Sequence, residues 1–362
     1  MTSAYTIVRT PSEIIEAATL AAAETASDVD TAAAPLADTL HRYAALGALG
    51  LGVERTDGDI ADVAGLLAGV AGECMSTAFS LWAHRMVTEY VRASALADRD
   101  ALLADLVEGR VAGSIAMATA LQESAGLGIV PTVAVPDGDG FRVSGRIVWA
   151  SNIAPGTVVI FPARVGDTDA RVLLATRVGT PGLSVRPVQG LLALDATCSA
   201  MLLFEDLPVA ADAVLAHSLA PAAAQRATHY LLQTALCLGL ARRALAESSE
   251  RLDGPNGVLA GFQRRLDAEY AQLSEQLQTL SVDVTTTDPH AVTRLRFAAA
   301  RLAHAAANQE AALTGGRGYV TLTATNRRLR EAAFLPVQSP SEVQLLCELE
   351  RFGDHPAENY AI

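Results

Sequence analysis

The apolar positions change their period twice along the chain. From residue 11 to about 110 they recur every three to four residues. Ile60, Val63, Leu67, Val70 and Ala71 form one stripe, and Phe79, Trp82, Met86 and Tyr90 form another. That spacing predicts amphipathic helices. Thr56-Asp57-Gly58-Asp59 supplies turn and N-cap chemistry ahead of the first stripe. From about 112 to 212 short β-like runs take over: Val133-Ala134-Val135, then 141–144, 158–161 and 171–174. Asp137-Gly138-Asp139-Gly140 and Thr180-Pro181-Gly182 mark turns between them. Strands at this spacing, with no helices between, predict a compact antiparallel sandwich or barrel. From about 220 helical spacing returns in long segments near 221–252, 258–283 and 290–313, broken at Gly254-Pro255-Asn256-Gly257 and Asp288-Pro289. Segments of that length lying side by side predict a bundle.

Composition narrows the function. Hydrophobic residues make up 51% of the 362, which excludes global disorder and allows two or three folding units. The charge is −13, from 40 acidic residues against 27 basic ones, every one of them Arg. A net-negative body with only isolated Arg doublets (242–243, 264–265, 327–328) argues against nucleic acid as a partner. Cys74, Cys198, Cys237 and Cys347 lie far apart with no CxxC pair, so thiols are expected rather than a disulfide framework, and no metal site. No apolar run approaches a bilayer span, and the first residues lack an apolar signal block. A soluble, cytoplasmic protein is expected.

Three segments could carry chemistry. In 145–152, Gly-Arg-Ile-Val-Trp-Ala-Ser-Asn, Trp149 and Ser151 stand two apart at the end of a strand, which on an extended chain puts both on one face. An aromatic plane beside a short hydrogen-bond donor suits a flat heterocycle; a buried strand Trp beside a surface Ser is the alternative. In 313–319, Gly315-Gly316 after a helix permits positive φ and close backbone approach, as at a pyrophosphate, and serves equally as a helix C-cap. In 204–209, an apolar run ends in Glu205-Asp206 and Pro208, which reads as a strand-to-helix boundary.

In this order, the segments resemble the acyl-CoA dehydrogenase superfamily, which includes flavin-dependent acyl-CoA dehydrogenases and related two-component flavin monooxygenases. The resemblance covers nearly the whole chain. Residues 46–53 are similar to the family's "LG.LGL.G", 119–126 to its "LTEP.AGS" flavin loop, 145–152 to "G.K.W(I/A)(T/S)N", 182–209 to the stretch ending "FEDV.VP", and 313–331 to "GG.GY…R..RD". It implies a mainly α fold with a central β-barrel: an N-terminal helical domain (1–111), a middle β-barrel domain (112–215) and a C-terminal four-helix bundle (216–362), assembled as a homotetramer or homodimer. It also implies FAD between barrel and bundle. Thr119, Leu121 and Gln122 would border the flavin ring, Trp149 would pack on it, and Ser151 would hydrogen-bond near N5. Gly315 and Gly316 would approach the phosphate or adenosine part from a neighbouring subunit.

The sequence also departs from that family. The dehydrogenases carry a Glu in "YEGT" shortly after "R..RD"; it removes the α-proton of the thioester while a hydride passes from the β-carbon to flavin N5. Counted from Arg330-Glu331, Gln338 stands in place of that Tyr and Ser339 in place of that Glu, and neither is a useful base. A second subgroup places its Glu on the first bundle helix, and counting back from Leu238-Gly239 puts His229 there. His229 is the best available base or proton shuttle; the alternative is a capped or solvated His. His84 is a further candidate, lining the pocket or packing in the first domain. Gln122 replaces the Thr of "LTEP", Ala312 replaces the Gln of "Q.FGG", and 251–257 lacks a clean "R..FG". The last two losses fall at the adenine-dinucleotide end and leave FAD, FMN and a diffusible reduced flavin all open. Three readings follow: a dehydrogenase oxidising the Cα–Cβ bond of an acyl thioester; a two-component monooxygenase fed by a partner flavin reductase and using O₂; and a degenerate, non-catalytic family member.

Overall fold

The structure is a computed structural model describing residues 9–32, 36–54 and 58–356. Five helices come first: α1 (Pro11–Asp30), α2 (Leu36–Ala45), α3 (Ala61–Glu73), α4 (Met75–Arg92) and α5 (Arg99–Val107). Thr10 and Glu13 close a reciprocal capping box at the start of α1, satisfying two of its free N–H groups. The Thr56-Asp57 part of the expected cap before α3 lies outside the described residues, while Asp59 Oδ1 accepts from the Ala61 N–H at 2.9 Å. All five positions of the first apolar stripe are buried. Cys74 interrupts that helical run in an extended conformation and starts α4. Nearly every side chain of α4 is buried, polar ones included, because helices and sheet pack around it.

The middle of the chain forms β1 (Gly113–Ile115), a short helix α6 (Ala118–Ser124), then β2 (Val133–Asp137), β3 (Gly140–Ala150), β4 (Val158–Val165), β5 (Arg171–Arg177), β6 (Leu183–Pro187), β7 (Ala200–Val209) and β8 (Val214–Ala216). The sheet runs β6-β7-β3-β2-β4-β5-β8, with β1 added alongside β4. It corrects the expected barrel in two ways. The sheet is open, since β6 and β8 pair on one side only; and it is mixed, since β1 and β2 both run parallel to β4. The helix-bearing connection after β1 brings the chain back in the same direction, which a hairpin cannot do. The stretch 204–209 is not a boundary either. β7 runs through it, and Asp206, at φ 53°, absorbs an extra residue where the register against β3 slips between Val143 and Gly145. Phe161 and Phe204 stack 4.8 Å apart inside the sheet's own apolar core.

The last third is helical: α7 (Ala220–Ala224), α8 (Arg226–Ser249), α9 (Ala260–Ser281), α10 (Pro289–Thr314), α11 (Ala324–Ala332) and α12 (Glu342–Arg351). Asp288 caps α10 with Pro289 at its first turn, as the Asp-Pro break foretold. One apolar core joins the N-terminal and C-terminal helices. It requires Gly239 on α8, where any Cβ would stand 2.2 Å from the Ala68 carbonyl oxygen of α3.

Candidate active site

Trp149 and Ser151 sit at the end of β3, where register slips again between Ile147 and Ala150. The slip turns both Val148 and Trp149 outward, leaving Trp149 57% exposed with no ring contact among the described residues. The chain then turns at Asn152, in the left-handed region at φ 62°. Its buried amide donates to the Ser80 carbonyl at 2.8 Å and to the Gly113 carbonyl at 3.0 Å, pinning the end of β3 against α4 and β1.

Ser151 belongs to a hydroxyl chain whose direction is fixed. Thr197 donates to the Leu194 carbonyl at 2.7 Å, so Ser199, 2.9 Å away, must donate to Thr197. Ser199 then has only lone pairs for Ser151, 3.0 Å away, and Ser151 spends its one proton there. The expected donor is an acceptor for anything that docks beside it.

Of the α6 residues, Leu121 is buried and Gln122 is exposed. The Thr119 hydroxyl oxygen is buried without a partner. Helix α12 holds this segment from behind: Gln344 Nε2 donates to the Leu121 carbonyl at 3.2 Å, and Arg351 donates to the Ser124 carbonyl at 3.1 Å. The same Gln344 amide donates to Glu348, whose buried carboxylate also takes Arg226 at 2.6 Å and the Tyr230 hydroxyl at 3.0 Å.

His229 on α8 and Ser339 are neighbours. Gln233, one turn along α8, donates from Nε2 to the Ser339 carbonyl at 2.9 Å and lies 3.2 Å from His229 Nε2. Arg296 Nε donates to Gln233 Oε1 at 3.2 Å, which fixes that amide and makes His229 Nε2 the acceptor. The imidazole is buried, and Trp82 meets it edge-on at 4.9 Å. Burial, with the Arg296 charge adding to it against a smaller opposing effect of the Ser339 carbonyl, pushes the His229 pKa down to about 4. At neutral pH the ring is uncharged. His84 lies apart from this group: its Nδ1 accepts from the Gly113 N–H at 3.1 Å and its Nε2 reaches the Leu106 carbonyl at 3.0 Å. It braces α4 against β1 and α5.

Gly315 and Gly316 follow α10. Gly315 needs its φ of 66°, and neither glycine has any atom within 4 Å of where a Cβ would stand. Beside them opens a polar cavity of about 490 Å³ lined by Arg251, Asn256, Thr314, Arg317 and Thr323, among others.

This architecture has known relatives. No family profile matches the chain. The bovine mitochondrial short-chain specific acyl-CoA dehydrogenase is 27% identical over 240 residues, which span 60% of this chain and 58% of that enzyme. Butyryl-CoA dehydrogenase from Megasphaera elsdenii superposes with a TM-score of 0.82 at 16% identity, over 96% of this chain and 99% of that one. Glutaryl-CoA dehydrogenase from Mycobacterium smegmatis gives 0.83 at 17%, over 96% and 95%. FkbI, of methoxymalonyl extender-unit biosynthesis, gives 0.80 at 21%, over 94% and 99%. The chain has the acyl-CoA dehydrogenase fold. The resemblance to that superfamily is borne out.

Within an acyl-CoA dehydrogenase fold, the residues present fit a flavin ring. A buried, unpartnered hydroxyl at Thr119 and an uncovered indole at Trp149 are features a docked ring would satisfy. The cavity beside Gly315 is lined by Arg251, Asn256 and Arg317 together with the carboxylates Glu247 and Asp253, and Arg251 pairs with Glu247 at 2.8 Å. Sequence reasoning missed Arg296 and Gln233, and noted Gln338 only as the residue in place of the family's Tyr. A signal existed: Arg296 falls on the apolar stripe of α10 with Val292, Ala299 and Ala303, where a charge has no structural reason to be.

Proposed function

We propose that this chain is a flavin-dependent oxidoreductase of the acyl-CoA dehydrogenase type acting on an acyl thioester, with FAD as its cofactor. The observation that carries this reading is the exposed Trp149, held at the rim of the sheet by Asn152 in a chain that otherwise buries its tryptophan. Thr119, Leu121 and Trp149 are the residues that would hold the ring. Gly315 and Gly316, beside a cavity lined by Arg251 and Arg317 with Glu247 and Asp253, would approach the cofactor's phosphate or adenosine part from a neighbouring subunit. The flavin supplies a two-electron acceptor that no side chain provides.

In this reading His229 is the proton acceptor in place of the missing Glu. A pKa of about 4 makes the neutral imidazole about as basic as an ordinary carboxylate. Ser339, beside it, contributes no basicity. Deprotonation by His229 requires the Gln233 hydrogen bond to open first, and Arg296 opposes the imidazolium, so the step is slower than with Glu.

One observation favours the second reading, a monooxygenase fed with reduced flavin. Ser151 offers lone pairs, and an acceptor suits the N5–H that only the reduced ring carries. Titration with FAD and FMN, each oxidised and then reduced with dithionite, decides between them. Tight binding of oxidised FAD with bleaching by acyl-CoA supports the dehydrogenase; binding only of reduced flavin supports the monooxygenase; no binding in any form sinks both. His229→Ala with unchanged acyl-CoA turnover would remove His229 from the chemistry.

A further inference from the structure

Arg296 is fully buried, and no carboxylate pairs with it among the described residues. The other deeply buried Arg of the bundle, Arg328, is neutralised by Glu310. Arg296 instead meets only neutral groups: Gln233 Oε1 at 3.2 Å, Gln338 Oε1 and the Leu335 carbonyl at 3.3 Å, and the Cys237 sulfur at 3.5 Å. A buried charge without a counter-charge is costly, so it calls for an explanation.

The arrangement around it gives one. Because Arg296 holds the oxygen of each of two glutamine amides, each NH₂ group is turned away from it. Gln233 spends its NH₂ on Ser339 and His229. Gln338 Nε2 is buried and finds no acceptor. Two further polar groups in the same neighbourhood are also unpartnered: the Ser339 hydroxyl and the buried Trp82 indole N–H, whose ring meets His229. One excess positive charge and three unused donors amount to a standing demand for a negatively charged acceptor.

We propose that this cluster binds the carboxylate of an acidic acyl group, so that the substrate is the thioester of a short dicarboxylic acid instead of an apolar fatty acid. The assignment rests on the acyl-thioester reading, because Ser339 and His229 occupy the two positions at which the superfamily resemblance places the base beside the acyl chain. Arg296 supplies the counter-charge; Gln338, Ser339 and Trp82 supply the directed hydrogen bonds. In the ligand-free protein the charge is a local liability, retained for binding.

The test uses the full chain, with and without FAD, and two probes of similar size: malonyl-CoA and butyryl-CoA. Calorimetry is expected to give malonyl-CoA at least tenfold tighter binding. Arg296→Met is expected to abolish that preference while melting at the same temperature as the parent or higher. Equal affinity of the two thioesters, or a preference that survives Arg296→Met, overturns the proposal. Should Arg296→Met fail to fold, Trp82→Phe decides: it removes only the N–H, and is expected to weaken malonyl-CoA severalfold with butyryl-CoA unchanged. Equal effects on both overturn it. Flavin uptake is scored in the same samples by absorbance. Flavin without discrimination sinks only the carboxylate site, and discrimination without flavin sinks only the flavin reading.

Discussion

Glu310 and Arg328 meet as a two-pronged ion pair, both buried, at the junction of α10 and α11; Arg328 Nε lies 2.8 Å from Glu310 Oε2, and Thr325 donates to the same carboxylate at 2.7 Å. Removing one partner of such a pair strands the other charge. Glu310→Ala is therefore expected to cost roughly 3–5 kcal/mol. Glu310→Leu combined with Arg328→Met is expected to recover most of it. Urea unfolding of the three proteins measures both; a mild single-variant effect would contradict the burial.

The His84 bridge makes a prediction with a pH sign. Burial pushes its pKa down to about 4, as it does for His229. Both are depressed below the unfolded value near 6.5, so the unfolded chain takes up protons first as pH falls. Stability is full above about pH 6.5 and declines towards pH 4, with a slope of about 1.4 kcal/mol per pH unit for each His. His84→Gln is expected to flatten that slope by one proton's worth while costing roughly 2 kcal/mol at pH 7.5 for its lost hydrogen bonds. Unfolding midpoints between pH 4 and 8 would show it.

Glu331 works in the opposite direction. Its buried carboxyl caps α4 through the Met75 N–H at 3.0 Å and leaves Oε2 unpartnered. Burial pushes its pKa up to about 7, against Arg327. Its contribution is complete below about pH 4.5 and is lost as pH rises through 7. Glu331→Gln retains the cap and discards the charge, so it is expected to be more stable than the parent at pH 8, on the order of 2 kcal/mol, and similar at pH 4. An unchanged difference across that range would refute the titration.

Trp149 is solvent-facing and pins nothing. Trp149→Ala is expected to alter unfolding stability by no more than about 0.5 kcal/mol. Flavin affinity should fall roughly tenfold, the scale of one lost aromatic stack. The converse pattern, lost stability with flavin binding intact, would make Trp149 a structural residue.

Ser199 controls which way Ser151 hydrogen-bonds. Ser199→Ala returns the Ser151 proton to the cleft, which should favour oxidised over reduced flavin. By the worth of one hydrogen bond, about 1 kcal/mol, the bound flavin potential should fall by roughly 20 mV. Spectroelectrochemistry of parent and variant reads it directly.

Local rules wrote much of this protein into its sequence. The 3.6-residue stripes of 60–71 and 79–90, the Asp288-Pro289 helix start and the Gly254-Pro255 break all held, because periodicity, capping and proline geometry act within a few residues of themselves. The superfamily resemblance was legible for a similar reason, since its segments keep their order and spacing.

Long-range pairing decided the rest. Whether the strands closed into a barrel depended on partners far apart in the chain, and the open, mixed sheet follows from β1 and β2 aligning parallel to β4. Asp206 reads as a turn until β3 opposite it shows a bulge within a continuous strand. His229 gained its low pKa, and Ser151 its role as an acceptor, only when Arg296, Gln233, Ser199 and Thr197 arrived from other segments. Charge, desolvation and hydrogen-bond direction belong to the assembled neighbourhood, and no stretch of sequence carries them alone.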